Sequence, residues 1–419
     1  GCSGMEKVRF VHASDLHLDA SFGGVDATDE TVAGALSRST LEALDRVVSL
    51  CIDREADFLV IAGDLFNSAD RSLRGELAFQ RAMRRLADKG IAAFVVQGNH
   101  DPADGWSAGL ELPDTVAVFS AAEVERREFR RNGEVVCAIY GRSFPSRQVT
   151  ENLARDFERR SEDPLAVAVL HTNVGQLSAW DNYAPCSIED LRAAGMDYWA
   201  LGHIHVPGRI SDNPVAVYSG STQGLNPTEE GPRGCFVVDL DRDGAREEFV
   251  ETSSIRWKRV EIEVAGTEDL EGLRATVRRA CDAAREDSGG RPLVLRIELN
   301  GRSPLHSDLG RPGVLSDLVV DLREEQLGIE PWIWIDRLRD RTRPAIDLEA
   351  LAGEEGLRGD LVRLAAEWQK DAAAANEMLD EILAPPLGQL PGSRGIDLSS
   401  RHIIERACDL CVDRLSEDS

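Results

Sequence analysis

The sequence predicts an α/β sandwich with mixed sheets, followed by a smaller α/β unit and a helical tail. Three observations predict it. From residue 7 to about residue 260, apolar runs of strand length alternate with stretches of helical apolar spacing. Five of those runs end in Asp, Asn or His. Beyond residue 260 comes one further strand–helix–strand set, and then the pattern is helical.

In chain order, Val8 to Ala13 reads as a buried strand running into Asp15-Leu16-His17. Leu36 to Ile52 has helical spacing, with Leu36, Leu41, Leu44, Val47, Val48 and Cys51 on one face. Phe58 to Ala62 is a strand ending in Gly63-Asp64, and Leu73 to Leu86 a second helix. Ile91 to Val96 is a strand ending in Gly98-Asn99-His100-Asp101. Short strands follow from Val116 to Tyr140, with Asn132-Gly133 as a hairpin signal. Val149 to Arg160 reads as a helix. Leu165 to Leu170 is a strand ending in His171. Ser187 opens a helix with Asp190 as a capping-box acid. Tyr198 to Leu201 runs into Gly202-His203-Ile204-His205, and Val215 to Tyr218 and Cys235 to Leu240 are further strands.

The expected domains are therefore 5–259, a small α/β domain over 260–345 and a helical C-terminal region over 346–419. The small domain contains a strand at Glu261 to Val264, a helix at Leu270 to Ala284, a strand at Leu293 to Leu299, and closes at Trp332-Ile333-Trp334-Ile335. The tail has helical patterns at Leu348 to Leu351 and Leu357 to Leu383, a Pro- and Gly-rich linker from Pro385 to Gly395, and a last helix capped by Ser399 or Ser400. The stripe Ile403, Ile404, Ala407, Cys408, Cys411, Leu415 on that last helix either docks a partner helix or packs on the chain's own helices.

Composition excludes some classes. At 419 residues and 42% hydrophobic content the chain has room for two or three ordinary globular domains. No apolar run reaches the ~20 residues of a membrane span. Met5 leads straight into the first strand without a signal peptide, and Gly1-Cys2-Ser3-Gly4 reads as an added leader. The expected location is cytoplasmic. The eight cysteines are scattered, in the manner of buried free thiols in a reducing compartment. Cys408 and Cys411 form a Cys-x-x-Cys without a second ligand pair, so packing explains them better than zinc. Net charge is −26, shared evenly on either side of residue 259. This weighs against tight autonomous DNA binding, which rests on phosphate neutralisation by Lys and Arg. It leaves open a nuclease in which metals handle the phosphate.

The strand ends supply seven candidate metal ligands: Asp15, His17, Asp64, Asn99, His171, His203 and His205. A single histidine at a strand end is more often a hydrogen-bonded structural residue. Here five of the eight histidines in the chain fall in these motifs, each after an apolar run, and that joint occurrence points to one metal centre. The carboxylate, imidazole and amide mixture suits Mn, Fe or Zn better than Mg. Seven ligands are too many for one open catalytic ion and suit two ions sharing one ligand. Sharing is expected to use both oxygens of a carboxylate, and Asp64 is the bridging candidate. His203 and His205, placed on a strand, would face the same way. Two adjacent ions can generate a bridging hydroxide and clamp phosphate oxygens during in-line displacement. His100, the spare imidazole, is assigned to the leaving group as general acid or electrostatic partner. Asp101 is left as a turn or supporting acid, His12 as a buried hydrogen-bonded residue, and Gly98 as the residue that lets the chain turn.

Asp-x-His, Gly-Asp, Gly-Asn-His-Asp, His and Gly-His-x-His, in this order over residues 9 to 205, resemble the calcineurin-like metallophosphoesterase superfamily. Phe10 to Asp19 and Gly63-Asp64-Leu65-Phe66 resemble the SbcD-type double-strand-break repair exonucleases. Leu170-His171-Thr172-Asn173-Val174-Gly175, Tyr198 to His205 and Gly220-Ser221-Thr222-Gln223-Gly224 resemble the YhaO branch. The resemblance implies a four-layer αββα sandwich with a capping domain, and a manganese-dependent DNA exonuclease and endonuclease of DNA repair. By matching motifs, one ion would be held by Asp15, His17, Asp64 and His205, and the other by Asp64, Asn99, His171 and His203. It further implies a homodimer formed through helices of the phosphoesterase domain. An SMC-like coiled-coil ATPase subunit would dock on the helical tail. Two departures bear on the substrate: Asn67 stands where many relatives have Asp, and Leu225-Asn226-Pro227 where YhaO-type chains carry basic residues. The alternative reading is a small-molecule phosphodiesterase or phosphatase on the same fold.

Overall fold

The computed structural model describes residues 7–25, 27–67, 72–105, 111–175, 183–345 and 347–370, and in the last helical stretch Ile404, Ala407, Cys408, Leu410, Cys411, Val412, Arg414 and Leu415. The linker expected at 385–395, the helix expected over 371–383 and the cap at Ser399 or Ser400 lie outside the described residues. The chain divides into two compact units. The first holds 1–260, 281–296 and 323–337, and the second 261–280, 297–322 and 338–419.

In the first unit the elements run β1 (Val8–Ala13), α1 (Glu30–Asp53), β2 (Phe58–Ala62), α2 (Leu73–Ala87), β3 (Ala92–Val96), β4 (Val116–Val118), β5 (Glu125–Arg131) and β6 (Glu134–Arg142). Then come β7 (Ala166–His171), α3 (Ile188–Ala193), β8 (Tyr198–Gly202), β9 (Gly208–Asp212), β10 (Val215–Tyr218), β11 (Gly234–Asp241) and β12 (Gly244–Glu251). Two six-stranded sheets result, in the orders β12-β11-β1-β2-β3-β4 and β5-β6-β7-β8-β10-β9. β1, β2 and β3 are parallel to one another, as are β6, β7 and β8. The expected mixed sandwich is what forms.

Layering follows from which residues the strands bury. Phe10, Phe58, Val60, Phe94, Val167, Val169, Tyr198 and Val217 fill the space between the sheets. Phe10 stacks on Phe58 at 5.0 Å and meets Tyr198 edge-on at 5.3 Å, geometries worth roughly 0.5–1.5 kcal/mol each beyond area burial. The opposite face of the first sheet packs Leu59, Ile61 and Val95 against Leu44, Val47, Phe79 and Met83 of α1 and α2. The outer face of the second sheet covers Tyr140, Leu170, Trp199 and Tyr218 with Leu191 of α3 and a loop carrying Leu153 and Phe157. The order is therefore helix, sheet, sheet, helix, with a thin outer layer on the second sheet.

Two element expectations change. α1 begins at Glu30 rather than near Leu36, because the Asp29 carboxylate caps it by accepting from Thr31 N and Val32 N. The helix expected over Val149 to Arg160 is only a 3-10 turn at Leu153–Asp156. The Asn152 side chain captures Ala154 N and the chain returns to extended geometry at Phe157, so local side-chain bonding competes successfully with helix propagation. The capping box of Ser187 and Asp190 forms as expected.

Continuing along the chain are β13 (Arg256–Glu263), α4 (Leu270–Glu286), β14 (Leu293–Ser303), α5 (His306–Leu309), α6 (Val314–Leu327), β15 (Ile333–Pro344), α7 (Leu348–Ala352) and α8 (Leu357–Lys370). The last three strands form a sheet in the order β13-β14-β15. In the second unit Ile404, Cys408 and Val412 are buried with Leu351, Val362 and Ala365, so this part of the tail stripe packs on α7 and α8 of its own chain.

His12 joins the two sheets, as a buried hydrogen-bonded residue should. Its Nε2 lies 3.2 Å from the Leu201 carbonyl, which can only accept, so Nδ1 accepts from the Tyr198 hydroxyl at 3.1 Å. Burial pushes this imidazole down to about 3. Below its unfolded value of about 6.5 the unfolded chain takes a proton that the folded chain refuses, so stability falls with acidification. Urea unfolding of the wild type and of His12→Gln should show the stability gap between them narrowing by up to about 1.4 kcal/mol per pH unit from pH 6 to 4.

Candidate metal centre

The parallel strands bring their carboxyl ends together, and the side chains beyond those ends meet. Asp15 and His17 follow β1, Asp64 follows β2, and Asn99 and His100 follow β3. His171 is the last residue of β7, and His203 and His205 follow β8. Asp15, His17 and His205 place one ligand atom each within 4.8 Å of one another, and so do Asp15, Asp64 and His171. Asn99 joins through its Oδ1, 2.9 Å from His171 Nε2. The His203 ring stands 5.2 Å from the His171 ring. All seven candidate ligands are thus brought to one place, five of them in two clusters that overlap at Asp15.

Asp64 belongs to the second cluster and reaches toward the first. Its Oδ1 accepts from His100 N at 2.9 Å. Its Oδ2 faces both imidazoles, 3.4 Å from His171 Nε2 and 3.9 Å from His17 Nε2. The expectation for His203 and His205 changes. β8 stops at Gly202, and His203 has φ 98°, so a turn rather than strand alternation aims the pair. Asp15, His17 and Asp64 also have positive φ, at 50°, 41° and 51°. Four left-handed non-glycine residues in one site, each costing of order 1–3 kcal/mol, are held by the surrounding core.

Glycines permit the approach. A Cβ on Gly98 would stand 2.2 Å from Asp64 Oδ1, so this residue is required for closeness and not for the turn assigned to it. A Cβ on Gly202 would stand 1.8 Å from the Ala62 carbonyl oxygen, where β8 meets the end of β2.

Asp101 is a support. Buried, it accepts from Gly98 N at 2.8 Å, Leu65 N at 2.9 Å and Phe66 N at 3.3 Å, tying the loop after β3 to the loop after β2. Burial, and then the charge of Asp64, push it up to about 7. Two supports were not legible beforehand. The Ser14 hydroxyl donates to Asp15 Oδ2 at 2.5 Å, and the buried Glu229 carboxylate lies 2.8 Å from His205 Nδ1. Nothing in the sequence marks Glu229, which lies in a loop well beyond the last histidine motif. Asn67 Oδ1 is 3.2 Å from His100 Nδ1. His100 itself is half-buried and edge-on to His17 at 4.9 Å.

The electrostatics are those of a cation site. Burial alone would raise Asp15 and Asp64. The hydrogen bond and charge of His205 on Asp15, and the charge of His171 on Asp64, instead hold both carboxyls well below the ordinary range. Burial opposes charge on the imidazoles as well. It wins at His17 and His203, pushed down to about 4. The carboxylates win at His171, raised to about 9 by Asp64, and at His205, raised to about 10 by Asp15 and Glu229. Protons on these two rings stand where divalent cations would supply the positive charge, and the oxygen and imidazole donors fit such ions.

Ligation requires neutral imidazoles, so cation binding must expel those protons. Manganese affinity should therefore rise with pH from 6 to about 9, on the order of tenfold per unit for each proton displaced. Calorimetric titrations in buffers of different ionisation enthalpy should register the release, which approaches two protons near neutral pH if His171 and His205 both ligate.

Residues 8–207 match the family described as calcineurin-like phosphoesterase, and residues 257–343 match the middle domain of metallophosphoesterase YhaO. The chain is 31% identical to the uncharacterized metallophosphoesterase YhaO of Bacillus subtilis over 343 residues, 82% of this chain and 84% of that protein. It is 27% identical to the DNA double-strand break repair protein Mre11 of Methanopyrus kandleri, over 83% of this chain and 76% of that protein. It is also 26% identical to one component of the nuclease SbcCD of Bacillus subtilis, over 55% of this chain and 66% of that protein.

Proposed function

Since the chain belongs to the calcineurin-like metallophosphoesterase family, we propose that it is a two-metal phosphodiesterase that cleaves DNA. The observation that carries this reading is the pair of overlapping ligand clusters with Asp64 Oδ2 between His17 and His171. One ion is assigned to Asp15, His17, Asp64 and His205, and the other to Asp64, Asn99, His171 and His203. Divalent cations, most favourably manganese, would supply Lewis-acid polarisation of the phosphate and a nucleophile at neutral pH.

The chain's own residues do the rest. Asp64 holds the loop after β3 in place by accepting from His100 N, which fixes the base of the His100 side chain. Asn67 Oδ1 accepts from His100 Nδ1, so when the ring holds a second proton, on Nε2, that proton can pass to the leaving oxygen of an in-line displacement and leave a neutral imidazole protonated on Nδ1. An amide oxygen performs this orienting task without adding negative charge next to the phosphate. The nuclease and DNA-repair names of two relatives support DNA as the substrate. The same kinship supports a cytoplasmic homodimer working with an SMC-like coiled-coil ATPase, and Leu73 and Leu77 on α2 offer exposed apolar surface for contact between copies. The second reading, a small-molecule phosphodiesterase or phosphatase, is favoured by the net charge of −26.

Turnover of linear DNA, a cyclic nucleotide and a bis-aryl phosphate by the manganese-loaded chain separates the two readings. DNA cleavage is expected, Asp64→Ala should abolish it, and His100→Ala should lower it by roughly 10²–10⁴-fold while both ions still bind. An aryl leaving group departs without a proton, so His100→Ala should cost far less on the bis-aryl substrate. A loaded chain that turns over the small substrates but no DNA, with the ATPase present or absent, would overturn the DNA reading.

A further inference from the structure

We infer that Glu229 is the positioning residue that determines which nitrogen of His205 faces the metal centre, an inference that rests on the two-metal reading above. His205 lies beyond β8, so no strand geometry sets its ring. Glu229 does. It is 6% exposed, in the loop between β10 and β11, and both of its oxygens are engaged. Oε1 lies 2.8 Å from His205 Nδ1 and 2.5 Å from the Asn226 amide nitrogen, and Oε2 accepts from Leu225 N at 2.9 Å. Three donors converge on a group that can only accept. Nδ1 therefore carries its hydrogen toward Glu229. Nε2 faces the centre, 3.5 Å from Asp15 Oδ1 and 3.4 Å from His17 Nε2.

The same loop holds the backbone of His205. The buried Arg233 guanidinium donates to His205 O at 2.5 Å, to Glu230 O at 3.2 Å and to Glu229 O at 3.4 Å. Ring and main chain of one ligand are thus anchored to a single loop. His171 makes a useful contrast. Its Nδ1 donates to the Ala62 carbonyl at 2.9 Å, so the backbone of β2 orients it and no side-chain substitution can remove that partner. At His205 a side chain performs the task. Leu225 and Asn226, at the head of the same loop, both donate to Glu229.

Glutamine at 229 cannot replace the carboxylate. An amide oxygen turned to His205 Nδ1 puts the NH2 group against Leu225 N–H. An oxygen turned to Leu225 N puts the NH2 group against Nδ1, which then must accept, and the hydrogen moves to Nε2, where it blocks ligation. The variant should therefore weaken one ion and not the other.

Calorimetric titration of the metal-free full chain with manganese, together with its melting temperature, tests this. In Glu229→Gln one of the two sites should lose roughly 10–100-fold in affinity, the range for removing a partner that orients a ligating histidine. The other site should keep its affinity, and the loss of the Glu229 charge beside His205 should lower the metal-free melting temperature without altering that. In a His17→Ala background, Glu229→Gln should add little further loss, because both substitutions disable the same ion. Unchanged affinity at both sites would overturn the inference. So would equal weakening of both sites with a lower melting temperature, which marks a merely structural role. A wild-type chain that takes up a single manganese would overturn the two-metal reading, while Glu229 would still be decided by whether its glutamine variant weakens that one ion.

Discussion

Two ionised carboxylates buried close together are the constraint on which this structure turns. Asp15 and Asp64 are each 1% exposed. Taking a carboxylate out of water costs several kcal/mol even after relaxation, and two of them repel. The fold offsets this with backbone N–H groups of His100 and His203, the Ser14 hydroxyl and a ring of imidazoles. The carboxylates in turn raise His171 and His205, so these rings favour positive charge beside them. A divalent cation does the same with more charge at the same place.

The sandwich exists to make that convergence possible. Parallel strands in each sheet send their carboxyl ends to one edge, and the aromatic layer around Phe10, Phe58 and Tyr198 locks the two sheets face to face. Close approach then requires glycine at 98 and 202. It also requires left-handed backbone at Asp15, His17, Asp64 and His203, conformations that only a packed surround can hold. Rigidity in the core and strain at the rim are two sides of one arrangement.

Around the ligands lies a set of groups that never touch the centre themselves. Asp101 ties two loops together through three backbone N–H groups. Glu229 and the Ala62 carbonyl each fix the outward nitrogen of an imidazole. Asn67 does the same for His100 with an uncharged acceptor. Orientation at this site is set mainly from outside, by the partner of Nδ1.

The strands, the order of the motifs and the meeting of the seven ligand candidates and His100 beyond the strand ends were legible in the sequence. Each sits immediately beyond an apolar run, and strand periodicity is a local property that neighbouring residues reveal. The missing helix over Val149 to Arg160 was not legible, because a local hydrogen bond from Ala154 N to the Asn152 side chain outcompeted an apolar spacing that helices and packed loops share. Nor was the fate of the tail stripe, since Ile404, Cys408 and Val412 read alike whether they meet a partner or α7 and α8. Tertiary structure alone decided that one oxygen of Asp64 faces both imidazoles, that His203 and His205 are aimed by a turn, and that Glu229 stands behind His205. The reason is physical: residue type and spacing specify which donors reach a strand end, but which atom of a donor faces inward depends on contacts between segments far apart in the chain.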